Sequence, residues 1–111
     1  MTDLHTPEEF EKAVSSEKPT VVLWSANWCP DCIYLNPLLP ALEKANPDFN
    51  FVHMDRDENL DLAIDQEILG IPSLLTFRNG KETGRFVSKL RKTPEEIQDF
   101  LNKVKENEKN A

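Results

Sequence analysis

Cys29 and Cys32 are the residues of this chain whose type and spacing carry chemistry by themselves. Two thiols at positions i and i+3 of a helix start come within disulfide distance. At a helix amino terminus, free N–H groups and the positive end of the macrodipole favour a thiolate. Cys29 is therefore the candidate nucleophile, and Cys32, one turn further in, is expected to be less exposed and to act as the resolving thiol. In that chemistry Cys29 attacks a substrate disulfide and forms a mixed disulfide. Cys32 then attacks Cys29, closes the Cys29–Cys32 disulfide and releases reduced substrate. Pro30 suits the first helical position and stiffens the loop. Two other readings stand beside this one. Half a zinc site would need two further ligands, and His5 and His53 lack the paired spacing of such sites, so no metal is expected. A purely structural pair is the third reading.

The elements that must position this pair are legible from periodicity. Thr6-Pro7-Glu8-Glu9 reads as a capped helix start, with Phe10, Ala13 and Val14 on one face and an end near Ser16. Thr20 to Ser25 is a continuous apolar run rich in β-branched residues, as a strand buried on both faces requires. A helix follows the cysteines, with Leu35, Leu38, Leu39 and Leu42 at helical spacing and a kink expected from Pro37 and Pro40. Phe49 to Met54 alternates as a second strand, and Asp55-Arg56-Asp57-Glu58-Asn59 reads as a solvated connection. Leu60 to Leu69 reads as a helix with Leu60, Ile64 and Ile68 in line and Gly70 closing it. Ser73 to Arg78, the Asn79-Gly80 turn and Gly84 to Ser88 form a hairpin. Thr93-Pro94-Glu95-Glu96 repeats the capping pattern, and Ile97, Phe100, Leu101 and Val104 give the stripe of a last helix. The polar tail past Lys105 is expected to fray. Trp24 reads as core and His53 as a strand residue. The order predicts an α/β fold: a small mixed sheet of about four strands, with a short fifth possible at the amino terminus, and helices on both faces.

At 111 residues the chain is one domain, taken as 1–106 with a polar tail at 107–111. Its net charge of −7 argues against a general nucleic-acid binder and against anionic membrane surfaces. No apolar run is long enough to span a bilayer, and Met1-Thr2-Asp3-Leu4-His5 has no signal-peptide pattern, so a cytoplasmic protein is the expectation. Two cysteines are too few for a secreted disulfide scaffold. The charge is uneven: residues 1–77 hold 4 basic and 14 acidic side chains, whereas 78–92 hold 6 basic and one acidic.

Taken together, Ser25-Ala26-Asn27-Trp28-Cys29-Pro30-Asp31-Cys32 after a buried strand, Pro37 five residues on, and Gly70-Ile71-Pro72-Ser73 before Leu74-Leu75-Thr76-Phe77-Arg78-Asn79-Gly80-Lys81 resemble the thioredoxin family over nearly the whole chain. The resemblance implies a thioredoxin fold and thiol–disulfide oxidoreductase activity on protein or small-molecule disulfides. It implies a cis Ile71-Pro72 bond facing the cysteines, with the Ile71 backbone pairing to an extended substrate segment. It makes Trp28 the indole flanking the disulfide. No cofactor is expected in the chain, which has no nucleotide fingerprint. Electrons would come from NADPH through a separate flavoprotein reductase resembling thioredoxin reductase, and a monomer is the expectation. The alternative from another class is a redox-responsive adaptor that turns over poorly.

The departures from that family pattern are specific. Pro30-Asp31 stands where thioredoxins usually carry Gly-Pro, as in a subgroup selective for small or particular disulfides. Leu23 occupies the position of the family's buried Asp, and the Lys accompanying that Asp aligns with about Phe51. The usual proton acceptor for the resolving thiol is therefore missing. Asp31 is the candidate substitute, accepting the Cys32 proton while its charge opposes a thiolate on Cys29. The loop Ser88-Lys89-Leu90-Arg91-Lys92 flanks the cysteines in the resembled fold. Ser88 and Lys89 are candidate substrate contacts, and Lys89 or Arg91 would offset Asp31 or steer acidic substrates.

Overall fold

The computed structural model describes residues 1–109. Strand β2 (Thr20–Ser25) is buried along its length up to the half-buried Ser25, and lies at the centre of a five-stranded sheet. The strand order is β1-β3-β2-β4-β5, with β1 at Thr2–Leu4, β3 at Asn50–Asp55, β4 at Ser73–Arg78 and β5 at Lys81–Phe86. Strands β1, β3 and β2 run parallel, and β4 and β5 are antiparallel to their neighbours. The short strand foreseen at the amino terminus is β1. The helices are α1 (Pro7–Val14), α2 (Pro30–Leu35), α3 (Leu39–Ala45), α4 (Leu60–Asp65) and α5 (Pro94–Lys109).

Alternation along the strands sorts the core into two layers. Val22, Trp24, Val52, Met54, Leu75 and Phe77 face α1 and α4, where they meet Phe10, Val14 and Ala63. Phe10 and Phe77 meet edge to face, with ring centroids 5.7 Å apart. Val21, Leu23, Phe51 and Leu74 face α2, α3 and α5, against Leu35, Leu39, Leu42, Ile97 and Leu101. Each such aliphatic side chain is worth about 1.5–3 kcal/mol when fully buried. Reciprocal capping boxes start α1 (Thr6 with Glu9) and α5 (Thr93 with Glu96).

The expected kink is a full break: Asn36–Leu38 forms a 3-10 turn between α2 and α3, because Pro37 and Pro40 remove two backbone donors. Helix α4 is shorter than its apolar spacing predicts. Glu67 adopts φ 57°, and the bonds Glu67 N–H to Ile64 O and Ile68 N–H to Ala63 O close a Schellman motif. Glu67 therefore ends the helix, not Gly70. Leu60 and Ile64 are exposed, and Ala63 with Ile68 is the buried pair. The hairpin turn holds positive φ at both Asn79 (54°) and Gly80 (81°), as a two-residue type I′ connection needs. Strand β5 therefore begins at Lys81, earlier than its apolar residues suggest, and ends at Phe86; a register shift beside Thr76/Phe77 absorbs one residue. Helix α5 continues to Lys109, past the expected fraying point. The tail residues Asn110 and Ala111 lie outside the described residues.

Candidate active site

Strand β2 delivers the chain to Ala26-Asn27-Trp28, and Cys29 becomes the N-cap of α2 in extended conformation. Its Sγ accepts the Cys32 backbone N–H at 3.3 Å. Pro30 takes the first helical position, where a missing N–H costs nothing. The Ile71-Pro72 peptide bond is cis, and the Ile71 carbonyl accepts from the Cys29 thiol at 3.7 Å. Ala26, Cys29, Cys32 and Ile71 form a small apolar cluster of their own. Both cysteines are free thiols.

The expected difference in exposure is absent: Cys29 is 4% exposed and Cys32 is 8% exposed. Both cysteines are packed in one small cluster with Ala26 and Ile71. The resolving position is distinguished electrostatically instead. Burial first, and the Cys29 sulfur second, push the Cys32 thiol up to about 12, with the Asp31 charge adding to the effect.

Of the two basic residues expected to offset Asp31, the structure pairs it with Arg91. Its Oδ1 accepts from Arg91 Nε at 2.9 Å, and the same guanidinium lies 4.3 Å over the Tyr34 ring. The loop before α5 is thus fastened to the dipeptide between the cysteines. Lys92 fastens it from beneath. Its side chain is buried and donates to the Ser88 carbonyl at 3.1 Å and the Leu90 carbonyl at 3.2 Å. Burial holds the Lys92 ammonium below its ordinary range, while the charges of Asp31, Cys32, Glu96 and Cys29 act in the opposite direction. A Cβ at Gly70 would collide with the Ser88 carbonyl, so Gly70 permits the 88–92 loop to lie against the cis-proline turn.

Trp28 is 58% exposed, yet it is held. Its indole N–H donates to Asp57 Oδ2 at 2.7 Å, and the Arg56 guanidinium sits 5.1 Å from the ring centroid. The segment read as a solvated connection therefore clamps the site's indole. Nothing local in Asp55-Arg56-Asp57-Glu58 announces this, because it depends on where β3 ends beside β2. Arg56 and Asp57 are missed by sequence reasoning for the same reason, and Tyr34 and Lys92 because their contacts depend on how the loop before α5 folds against α2.

The structure brings together Cys29, Cys32, Ile71 and Pro72, with Trp28 at the rim and Asp31 bound to Arg91. Ser88 contributes its carbonyl to Lys92, and Lys89 is exposed with no ion pair among the described residues. The strand register corrects one position: the residue beside Leu23 on β3 is His53, and Phe51 is paired with Val21. His53 lies on the same sheet face as Leu23. Its Nδ1 is 3.1 Å from Asp3 Oδ1, and its Nε2 bonds to the Ser25 hydroxyl. Among the described residues, no three His, Cys, Asp or Glu side chains converge as a metal site.

Known proteins repeat this arrangement at the level of sequence and of fold. The family model described as Thioredoxin matches residues 1–103. Thioredoxin-1 of Saccharomyces cerevisiae is 34% identical over 78% of this chain and 84% of its own length. The mitochondrial thioredoxin of Mus musculus is 32% identical over 88% of this chain, which spans 58% of that protein. Among solved structures, oxidised mitochondrial thioredoxin 3 of S. cerevisiae superposes with a TM-score of 0.81 at 26% identity, covering 93% of this chain and 94% of that one. Thioredoxin of Trypanosoma brucei brucei shares the fold, with a TM-score of 0.85 at 22% identity over 96% and 91% of the two chains. With a family match over nearly its whole length and a dithiol facing the cis-proline turn, this chain belongs to the thioredoxin family and is a thiol–disulfide oxidoreductase.

Proposed function

We propose that Cys29 is the attacking sulfur, that Cys32 resolves the mixed disulfide, and that the chain works as a reductase of protein or small-molecule disulfides. The observation that carries this reading is the placement of Cys29 Sγ: it caps α2, accepts the Cys32 N–H and faces the Ile71 carbonyl. A negative sulfur there meets a backbone donor and the positive end of a helix. Cys32, with its thiol pushed up to about 12, is protonated at neutral pH and is the poorer first nucleophile.

The substrate segment lies along Ile71-Pro72 as an added strand, between Trp28 and Pro30 on one side and Ser88 and Lys89 on the other. Exposed Trp28, Leu69 and Leu90 support this reading, since each segment around the cysteines presents a large apolar side chain. The Asp31–Arg91 ion pair puts paired charges beside the cysteines, which suits selection among disulfides over general reduction. The chain works through its Cys29–Cys32 dithiol–disulfide couple, with no bound cofactor. Electrons reach it from NADPH through a separate flavoprotein reductase of the thioredoxin-reductase type, and the protein acts as a monomer. No helix among the described residues is long and apolar enough to cross a membrane. We place the activity in the cytoplasm, where a dithiol is kept reduced.

Turnover of insulin disulfides with NADPH and a thioredoxin reductase tests this reading. The native chain oxidises NADPH, Cys29→Ser is inert, and Cys32→Ser accumulates a mixed disulfide visible by mass. A Cys29→Ser variant that still captures substrate, or native protein without turnover, overturns it.

A further inference from the structure

The resolving thiol needs a proton acceptor, and Leu23 supplies none. Burial pushes the Cys32 thiol up, so it carries its proton at neutral pH and must lose it to attack. Asp31 is bound to Arg91. A cavity of about 450 Å³ opens beside Cys32, and Leu23, Ser25, His53, Asp3 and Pro72 line it. It is large enough to hold several waters, and its polar lining gives them partners.

Three of those residues form one hydrogen-bonded chain across three strands. The register sets Asp3 of β1 against His53 of β3, and Leu23 of β2 on the other side of His53. Asp3 Oδ1 takes the Nδ1–H of His53 at 3.1 Å. That fixes the tautomer in which Nε2 is the basic nitrogen, and Ser25 O–H donates to it. The Ser25 oxygen is then left to accept from the cavity. The outer end is open, since the His53 side chain is 23% exposed and that of Asp3 is 68% exposed. The other charged groups near His53 are the Met1 amino group, held by Glu43 at 2.8 Å, and Asp55, whose Oδ1 accepts the Asp57 and Glu58 N–H groups.

We propose that Ser25, His53 and Asp3 form a proton relay for the resolving step, taking the proton of Cys32 through water in this cavity. The proposal rests on the assignment of Cys32 as resolving thiol. The Cys32 S–H gives its proton by way of water to Ser25 Oγ as the Ser25 proton passes to His53 Nε2. The Cys32 sulfur then forms the S–S bond to Cys29, and the bond from Cys29 to the substrate sulfur breaks. The substrate leaves as a thiolate carrying the electron pair and takes a proton from solvent. The two cysteines lose two electrons and the substrate disulfide gains them. His53 returns its proton to water on the exposed side, with Asp3 stabilising the imidazolium. His53 and Ser25 are positioning and proton-transfer residues, since neither touches the substrate.

The two sulfur steps are separable in time. Reduced protein mixed with substoichiometric 5,5′-dithiobis(2-nitrobenzoate) releases one thionitrobenzoate when Cys29 attacks and a second when Cys32 resolves. Stopped-flow absorbance from pH 5.5 to 9 gives both rates. The second phase of the native chain rises with pH and then levels off within this range. In His53→Leu the second phase is slowed at least tenfold at pH 7 and climbs with pH without a plateau, while the first phase is unchanged. Ser25→Ala, which removes a single oxygen, slows the second phase in the same way and decides the matter where the His53 variant fails to fold. Asp3→Asn moves the plateau to lower pH, and added imidazole restores the rate of His53→Ala. A second phase with native rate and native pH profile in His53→Leu or Ser25→Ala overturns the relay. A second phase persisting in Cys32→Ser overturns instead the assignment of Cys32 on which it rests.

Discussion

Asp31 lies between the two cysteines in the chain and its charge opposes ionisation of Cys32, and Arg91 answers that charge from another part of the chain. The pair is partly exposed, so its worth is that of a screened surface bridge, about 0.2–1 kcal/mol. Removing Arg91 leaves the carboxylate uncompensated beside the thiolate of the reduced form. Arg91→Ala therefore makes the couple more reducing by about 5–20 mV, the two-electron equivalent of that energy. Asp31→Asn shifts it the opposite way, because Arg91 then favours the thiolate alone. Equilibration in glutathione or dithiothreitol buffers at low salt measures both shifts. Equal potentials in all three proteins would mean that the pair only fastens the loop. Loss of the Arg91–Tyr34 stacking accompanies Arg91→Ala, so Arg91→Lys serves as the control that keeps charge and gives up the planar contact.

The loop before α5 is held against the cis-proline turn by two features of different kinds: the donors of Lys92 to two carbonyls, and the missing side chain of Gly70. Gly70→Ala pushes a methyl into the Ser88 carbonyl, which cannot move without dragging the Lys92 bonds with it. Overpacking of this kind costs about 1–3 kcal/mol. The expected result is a lowered unfolding midpoint and a raised KM for protein disulfides, since Ile71 and Ser88 both shift. Denaturant titration and insulin-turnover kinetics read the two effects. A Gly70→Ala protein with native midpoint and native KM would show that the loop is not docked as described. Gly80, by contrast, has open space around its Cβ direction, and its positive φ alone explains it.

At the scale of the whole molecule the basic segment 78–92 is less of a free field than its composition suggests. Arg78 reaches Glu108 and the Glu17 carbonyl, Arg85 is bound to Glu82 and to the Gln66 and Glu67 carbonyls, Arg91 to Asp31, and Lys92 is buried. Lys81 and Lys89 are exposed with no ion pair among the described residues, and Lys89, in the loop against the cis-proline turn, is the one placed to steer an acidic substrate to a protein of net charge −7. The expected signature is a kcat/KM toward an acidic disulfide peptide that falls with ionic strength, and a low-salt value lowered about twofold in Lys89→Ala. A kcat/KM independent of salt, or unaltered in Lys89→Ala, rejects steering.

The amino-acid sequence by itself determined the cysteine pair, the capped helices, the buried central strand, the Asn79-Gly80 turn and the family pattern, because each depends on residue types a few positions apart. Those local rules gave the wrong end for α4, where Glu67 took a left-handed conformation, and the wrong buried face, since Leu60 and Ile64 point to solvent. They gave no partner for Trp28 or His53, because each partner lies at least 28 residues away along the chain. Only tertiary structure decided those contacts. A one-residue change in how β1, β2 and β3 align reverses the face of every side chain. The register that sets His53 beside Leu23 is imposed by the burial of whole strands, and no local spacing encodes it.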